Sequence, residues 1–365
     1  MKISINSKII PGPFGGGMQF VNFLKGYIES HGHHVVFDLN DDDIDIIIHI
    51  AAFPFLFQNA KYSLFSANIY KLKHPNCKII ARINECDERK GTHHVNNIFA
   101  LESYFSDVTV YISEWLKDLY INRYKFLQSK QIRLIRNGAD PRIFFPGKST
   151  FKGGKLKIVT HHWSSHFLKG HDVYQALDRL LEDKAFSRNF EFTYIGNLGK
   201  YNEFKNTRVI SPLSGEKLAD ELRKHHVYIT GTRNEPAGMH HIEGAMCGLP
   251  VLYVNSGSTA EFAAKYGIEI DPQNIEPALL KMRSNYSSYR NKITTYPFTA
   301  EKMAASYLQL ITNISQPAPV TVRGYDVLFI PKLILFTLAD LGLALYSLTL
   351  LAGRELVRRL SDYSV

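Results

Sequence analysis

A rhythm constrains this chain most. Short apolar runs alternate with helical patterns along most of its length. Residues 2–10 (KISINSKII) alternate apolar and polar side chains and stop at a turn, PGPFGGG. A helical pattern follows, with Phe20, Phe23, Leu24, Tyr27 and Ile28 at i, i+3, i+4 spacing, and it ends at Gly32. VVFDL, DIDIIIHIAAF and CKIIARIN (77–84) then read as strands. The second half repeats the style. KLKIVTHHW (155–163), FEFTYIG (190–196), VYITGT and LPVLYVN read as strands, and HDVYQALDRLLED (171–183), GEKLADELRKH and MHHIEGAMCG as helices, the last capped by Gly248. Parallel neighbours need a crossover, so strand, helix, strand at this pace implies βαβ units and parallel sheets.

At roughly 100–200 residues per domain, a chain of 365 residues makes two such domains. The linker-like PGKSTFKGG (146–154) marks the boundary between them. The expected architecture is α/β, with two doubly wound domains at 1–147 and 148–296. A closing helix at 297–316 returns to the first, and a tail occupies 317–365. No apolar h-region follows Met1-Lys2, and Cys77, Cys86 and Cys247 form no CxxC pair. Both features fit a cytoplasmic, reducing compartment without a disulfide scaffold. The net charge is +9, but it is spread evenly. Residues 1–150 hold 18 basic and 14 acidic residues, and residues 151–365 hold 25 and 20. No basic stripe forms, so a nucleic-acid partner is not expected.

Four features could carry chemistry. Gly15-Gly16-Gly17 follows the first strand, where backbone without Cβ can approach a phosphate. With Asp38 closing the second strand it invites a dinucleotide reading, although the spacing is GxxGGG rather than GxGxxG. Glu235 and Glu243 have seven residues between them. On one continuous helix they would stand about 12 Å apart, so they do different jobs. Pro236 and Gly238 place Glu235 in a loop and Glu243 one turn inside the following helix. The amides near Gly238, Met239 and His240 then face a ligand at a helix N-terminus, suited to a diphosphate. Lys169-Gly170 precedes a helix, where a lysine can meet a phosphate. IRNGADPRIFFP places Arg136 and Asn137 at a turn. Ten of the fifteen histidines occur as adjacent pairs, whose side chains diverge, so no metal site is expected.

These segments, in order, resemble the retaining GT-B glycosyltransferases of family 4: the GGG turn with its helix ending GHHV, YISEWLKDLY (111–120), IRNGADPRIFFP (135–146 for its core), KGHDVYQAL (169–177) and EPAGMHHIEGAMCGLPV (235–251). The last segment carries the family's E-x7-E signature, and the resemblance covers roughly residues 1–313. It implies two Rossmann-like domains across a cleft, with a UDP- or GDP-sugar on the C-terminal domain and a glycan or lipid-linked acceptor on the N-terminal one. By motif position, Glu243 binds the donor ribose, Glu235 faces the sugar and the Gly238–His240 amides contact sugar and phosphate. Lys169 neutralises the diphosphate, and the Gly15–Gly17 loop closes over it. The resemblance also implies retention, transfer without a metal or other cofactor, and surface polysaccharide or lipopolysaccharide synthesis.

The chain departs from the family pattern in three places. Trp163 and Ser164 stand where the family places an arginine, so either Arg136 or a histidine takes that role or the phosphate site is weaker. Asn84 stands where the family has a histidine, which makes Asn84, Glu85 and Asp87 candidates for sugar or acceptor contacts. His226 replaces an acidic residue before VYIT.

Residues 333–352 contain one charge, Asp340, and are long enough to span a bilayer, with Arg354, Arg358 and Arg359 following. A single span would put those arginines outside, against the positive-inside bias. An interfacial helix within 327–360, on the inner face of the cell membrane, fits better. Packing in a homo-oligomer is the alternative. Two rival functions stand beside glycosyl transfer: an NAD-type oxidoreductase using Gly15–Gly17 and Asp38, and a non-catalytic membrane scaffold.

Overall fold

The structure, a computed structural model, describes residues 1–9, 16–51, 60–199, 204–315 and 331–342. Among the described residues twelve strands form two parallel six-stranded sheets. The first contains β1 (Lys2–Ile5), β2 (His34–Val36), β3 (Ile46–His49), β4 (Lys78–Ile83), β5 (Val108–Tyr111) and β6 (Gln131–Leu134), in the order β2-β1-β3-β4-β5-β6. The second contains β7 (Leu156–His162), β8 (Phe190–Gly196), β9 (Arg208–Ile210), β10 (Val227–Thr230), β11 (Val251–Tyr253) and β12 (Gly267–Glu269), in the order β12-β11-β10-β7-β8-β9. Helices cover both faces, so the central strands are buried on both sides. This explains why Ile46, Ile47 and Ile48 read as a continuous apolar run rather than an alternating one.

Each sheet has one place where the chain reverses its direction of travel. In the first it lies between β1 and β3, where Ile3 pairs with Ile46. In the second it lies between β7 and β10, where Ile158 pairs with Val227. Ligands of doubly wound sheets bind outside the strand C-termini at such switch points. The helix Ala300–Ser315 crosses back to the first sheet. Its Met303, Ala304, Tyr307 and Ile311 join the core of Phe20, Val21 and Leu24.

Two differences from the sequence reading have local causes. β1 stops at Ile5 instead of running to residue 10. The Asn6 side chain accepts from the Lys61 and Tyr62 amides and donates to the Ala51 carbonyl, so it ties loops together at the strand's end. Helices Leu64–Lys73 and Val95–Tyr104 have no counterpart in the sequence reading. The second takes its N-terminal hydrogen bonds from Asp87, which accepts the Val95 and Asn96 amides from well upstream.

Within the tail, residues 331–342 are helical and lie on the first domain. Phe336 packs against Phe65 and Phe105, with ring centroids 5.9 and 5.3 Å away. Asp340 accepts hydrogen bonds from the Ser63 and Ser66 hydroxyls at the N-terminus of helix Leu64–Lys73. The only charge of the apolar segment is thus held by protein at a helix's positive end. No helix among the described residues is long and apolar enough to cross a membrane. Residues 343–365, with the three arginines, lie outside the described residues, as does Gly15.

Candidate active site

A cavity of about 700 Å³ lies between the C-terminal edges of the two sheets, a size that suits a nucleotide-sugar and part of a second substrate. Gly16, Gly17, Asn84, Glu85 and Asn137 line one wall. His161, Trp163, Ser164, Lys169, Glu235, Gly238, Met239, His240 and Glu243 line the other. The walls nearly touch at one point, where a Cβ on Gly16 would collide with the Met239 side chain. Here the glycine serves a contact between the walls. Gly17, by contrast, has open space around it.

The second wall is built around the helix Met239–Met246, which starts at Gly238. Its first amides have no intrahelical partner and belong to residues that line the cavity. Glu243 sits one turn inside. Its Oε2 is 2.7 Å from His161 Nε2, while its Oε1 is buried without a partner. An acceptor oxygen left open beside a cavity suits a donor hydroxyl such as a ribose supplies. His161 is held in turn by Tyr228, whose hydroxyl is 3.2 Å from Nδ1. His162, His240 and His241 are buried around this helix. Burial holds all three imidazoles below their ordinary value, His241 at about 4, so they are neutral near pH 7.

Beside them is a charged cluster. Glu235 Oε2 accepts from the Thr232 hydroxyl at 2.9 Å and lies 3.4 Å from Lys169 Nζ and 3.1 Å from Arg89 Nη2. Burial would raise this carboxyl, but Lys169 and Arg89 overcome it and bring Glu235 to about 2. Burial also lowers Lys169 from its ordinary value. Lys169 is fixed by the tight turn at Gly170, which has φ 87° and lies so close to the Gly231 backbone that a Cβ would clash.

Arg89 was not a candidate from the sequence. It comes from the first domain and crosses the cleft, donating from Nη1 to the carbonyls of Leu168 at 2.9 Å and Arg233 at 3.1 Å. It is thereby registered on both segments that carry Lys169 and Glu235. The contacts join residues 79 and 144 positions apart, so no local pattern could have revealed them. Two cations against one carboxylate leave the cluster with one net positive charge, which suits a diphosphate.

Three sequence candidates lie elsewhere. Arg136 is outside the cavity. Its Nε bonds Glu261, and its guanidinium lies 3.9 Å from Glu114. On an extended turn, neighbouring side chains point opposite ways, so Asn137 faces inward and Arg136 outward. Asp87 is also absent from the lining. Besides the two helix amides, its carboxylate accepts from the Thr92 hydroxyl at 2.6 Å, a structural task. Asp38, the ribose candidate of the dinucleotide alternative, is not in the cavity wall and accepts from the Asn40 amide. Asn84 and Glu85 do line the cavity. Glu85 pairs with Lys90 at 2.9 Å, and burial raises its carboxyl. Asn137 receives Arg82 at 2.9 Å and donates to Ala237 O at 3.1 Å, another link between the walls. His226 accepts from the Lys157 amide and serves the fold. Among the described residues no group of histidine, cysteine or acidic side chains is arranged to hold a metal ion.

The fold has well-defined relatives. A sucrose-phosphate synthase structure from Thermosynechococcus elongatus superposes with a TM-score of 0.65 at 14% identity, covering 86% of this chain and 98% of that one. The chain has the GT-B fold. Within GT-B, WaaG, a glycosyltransferase involved in lipopolysaccharide biosynthesis, matches at TM-score 0.60 and 12% identity, over 86% of this chain and 100% of its own. The pneumococcal O-GlcNAc transferase GtfA, solved in complex with UDP and GlcNAc, matches at TM-score 0.56 and 9% identity, over 80% of this chain and 60% of its own. In sequence, a probable sucrose-phosphate synthase of Thermosipho melanesiensis is 26% identical over 212 residues, 53% of this chain. The chain spans about half the length of that curated relative, 49%. No family model matches the chain. The resemblance carried by the E-x7-E segment and the neighbours of the fold agree, for both are GT-B glycosyltransferases.

Proposed function

We propose that this GT-B protein is a retaining glycosyltransferase. It moves a sugar from a UDP- or GDP-sugar to a glycan or lipid-linked acceptor in surface polysaccharide or lipopolysaccharide synthesis. One observation carries the reading: Glu243, with an unpartnered oxygen, shares a cavity wall with Lys169, Glu235 and a helix N-terminus, and Arg89 of the first domain joins the two charges. Glu243 Oε1 accepts a ribose hydroxyl. The first amides of helix Met239–Met246 and Lys169 take the diphosphate, and they hold the charge that develops there as the sugar departs. Glu235, already ionised, faces the sugar. No protein nucleophile is assigned. The acceptor attacks from the face of the leaving phosphate, which takes its proton, so configuration is retained. The charge stabilisation comes from protein groups, and transfer is expected to continue in EDTA.

We place the protein at the cytoplasmic face of the membrane. Helix 331–342 exposes Ile334, Leu335, Leu338 and Leu341 while Phe336 and Asp340 hold it to the first domain. An apolar face held in that way suits a lipid interface. A panel of UDP- and GDP-sugars, read by nucleoside diphosphate release, tests the enzymatic reading. Glu243→Ala should lose nucleotide binding, and unchanged binding in that variant would remove the site assignment.

A further inference from the structure

We propose that the N-terminal wall of the cleft carries a second anion site built on Arg82, and that the acceptor is therefore anionic, a sugar or lipid-linked glycan bearing a phosphate or carboxylate. Calling that ligand the acceptor rests on the glycosyltransferase reading; the anion site itself does not.

Among the described residues two arginines are buried, Arg82 at 2% exposure and Arg89 at 7%. Their surroundings differ in kind. Arg89 has a carboxylate, Glu235. Arg82, the penultimate residue of β4, has none within 4.0 Å among the described residues. Its Nη2 donates to Asn137 Oδ1 at 2.9 Å, its Cζ lies 3.9 Å over the Phe20 ring, and its Nε is buried without a partner. Tyr307, the titratable side chain acting on it, is pushed up to about 12 by burial and stays neutral. Residues 10–15 and 52–59, which follow β1 and β3, contain no aspartate or glutamate. The carboxylate of the same wall, Glu85, is taken by Lys90 at 2.9 Å and forms no ion pair with Arg82.

A buried charge without a counter-charge is costly, and it persists where something else needs it. Arg82 lines the cavity. The Phe20 face and the Asn137 amide fix its guanidinium, and a planar fork of N–H donors matches phosphate or carboxylate oxygens. Its position separates this site from the donor's. Lys169 and the Gly238–His240 amides stand on the C-terminal wall, whereas Arg82 enters from the first sheet, two residues before Asn84. An anion there sits in the half of the cleft left for the second substrate.

The test uses the full chain with its donor site filled by UDP or GDP, whichever raises its melting temperature. A hexose 6-phosphate, a hexuronate and the unmodified hexose are titrated calorimetrically into wild type and Arg82→Met. Wild type is expected to bind at least one charged sugar roughly tenfold or more tightly than the neutral one, and the two charged probes tell phosphate from carboxylate. In Arg82→Met that preference disappears and nucleotide affinity is retained. The unliganded melting temperature stays level or rises, because an uncompensated buried charge is gone. Equal binding of all three sugars by wild type overturns the proposal. So does a variant that loses nucleotide affinity, which moves Arg82 to the donor diphosphate. A lower melting temperature with the sugar preference intact also overturns it, by making Arg82 structural. If wild type binds neither nucleotide, the glycosyltransferase reading fails instead, and the same sugar titration without nucleotide still decides the anion site.

Discussion

The two walls of the cleft are built on sheets of like topology, yet they handle charge in opposite ways. The C-terminal wall is dense and compensated. Lys169, and Arg89 reaching over from the first domain, share one oxygen of Glu235, and neutral imidazoles surround them. On the N-terminal wall Glu85 pairs with Lys90 and Asp140 with Arg142, whereas Arg82 is held by an amide and a ring. A compensated cluster keeps its geometry while a multiply charged ligand comes and goes. A lone buried cation instead waits for its partner. On the proposed reading, the C-terminal wall is a preorganised donor wall and the N-terminal wall an acceptor wall that its ligand completes.

The sharpest way to break this comparison is to remove the lysine charge of the C-terminal wall. Lys169→Ala should lower turnover by roughly 10²- to 10³-fold, the range found when a preorganised charge stabiliser is lost. Sugar-acceptor affinity measured without donor should hardly change. If both substrates weaken equally, the walls are not separate.

The neutral imidazoles give the C-terminal wall a pH signature. His241 is 1% exposed, and burial holds it near 4, below its ordinary 6.5. The folded state therefore binds fewer protons than the unfolded state between these values. Its stabilising contribution is full above 6.5 and is lost as pH falls toward 4. At 1.36 kcal/mol per unit, the loss reaches about 3 kcal/mol. Denaturant unfolding at pH 7 and pH 4.5 should show a fall in stability that His241→Asn reduces. An equal fall in the variant would show that His241 does not carry the effect. Glu235 acts on a different range, since a carboxyl at about 2 keeps its charge throughout this window.

Legibility in the sequence follows the same division. The switch-point helix was readable because Glu235, Gly238 and Glu243 lie within nine residues and the helix forms where glycine and proline punctuate it. β8 was readable to the residue, because its apolar run ends at Gly196. Arg89 was not readable. Its meaning depends on carbonyls at 168 and 233, brought to it only by domain packing. Arg136 looked better than Arg89 because it adjoins Asn137, but adjacency on an extended turn sends a side chain away. Arg82 sat inside the apolar strand CKIIARIN, where nothing local marked a cation without a counter-ion.

A charge-balance experiment sharpens the account of Arg89. The cluster carries +1 in wild type, 0 in Arg89→Gln and +1 again in the double variant with Glu235→Gln. Nucleoside diphosphate affinity should fall about tenfold in Arg89→Gln and recover in the double variant, with nucleoside affinity constant throughout. A helix 87–90 that merely held the domains together would show no such rescue.

The smallest effect concerns the tail, which joins the N-terminal wall's domain from outside. Asp340 meets two hydroxyls at the start of helix Leu64–Lys73, and Ser63 also accepts the Ser66 amide at 2.9 Å. A carboxylate at a helix N-terminus contributes about 0.3–1 kcal/mol. For a chain of this size, Asp340→Ala should lower the melting temperature by only about 1–4 °C. It should also free the exposed face of Ile334, Leu335, Leu338 and Leu341 from a fixed orientation. Flotation with vesicles of anionic lipid reads that consequence. If the helix lies on lipid, Asp340→Ala still floats, because the apolar face is intact, while Leu335→Glu with Leu338→Glu does not. If the face is a contact between copies of the chain, the double glutamate variant changes the sedimentation of the lipid-free protein instead. The melting shift of Asp340→Ala is expected in both cases, so it measures the docking of the tail alone and leaves what lies beyond the tail to the flotation.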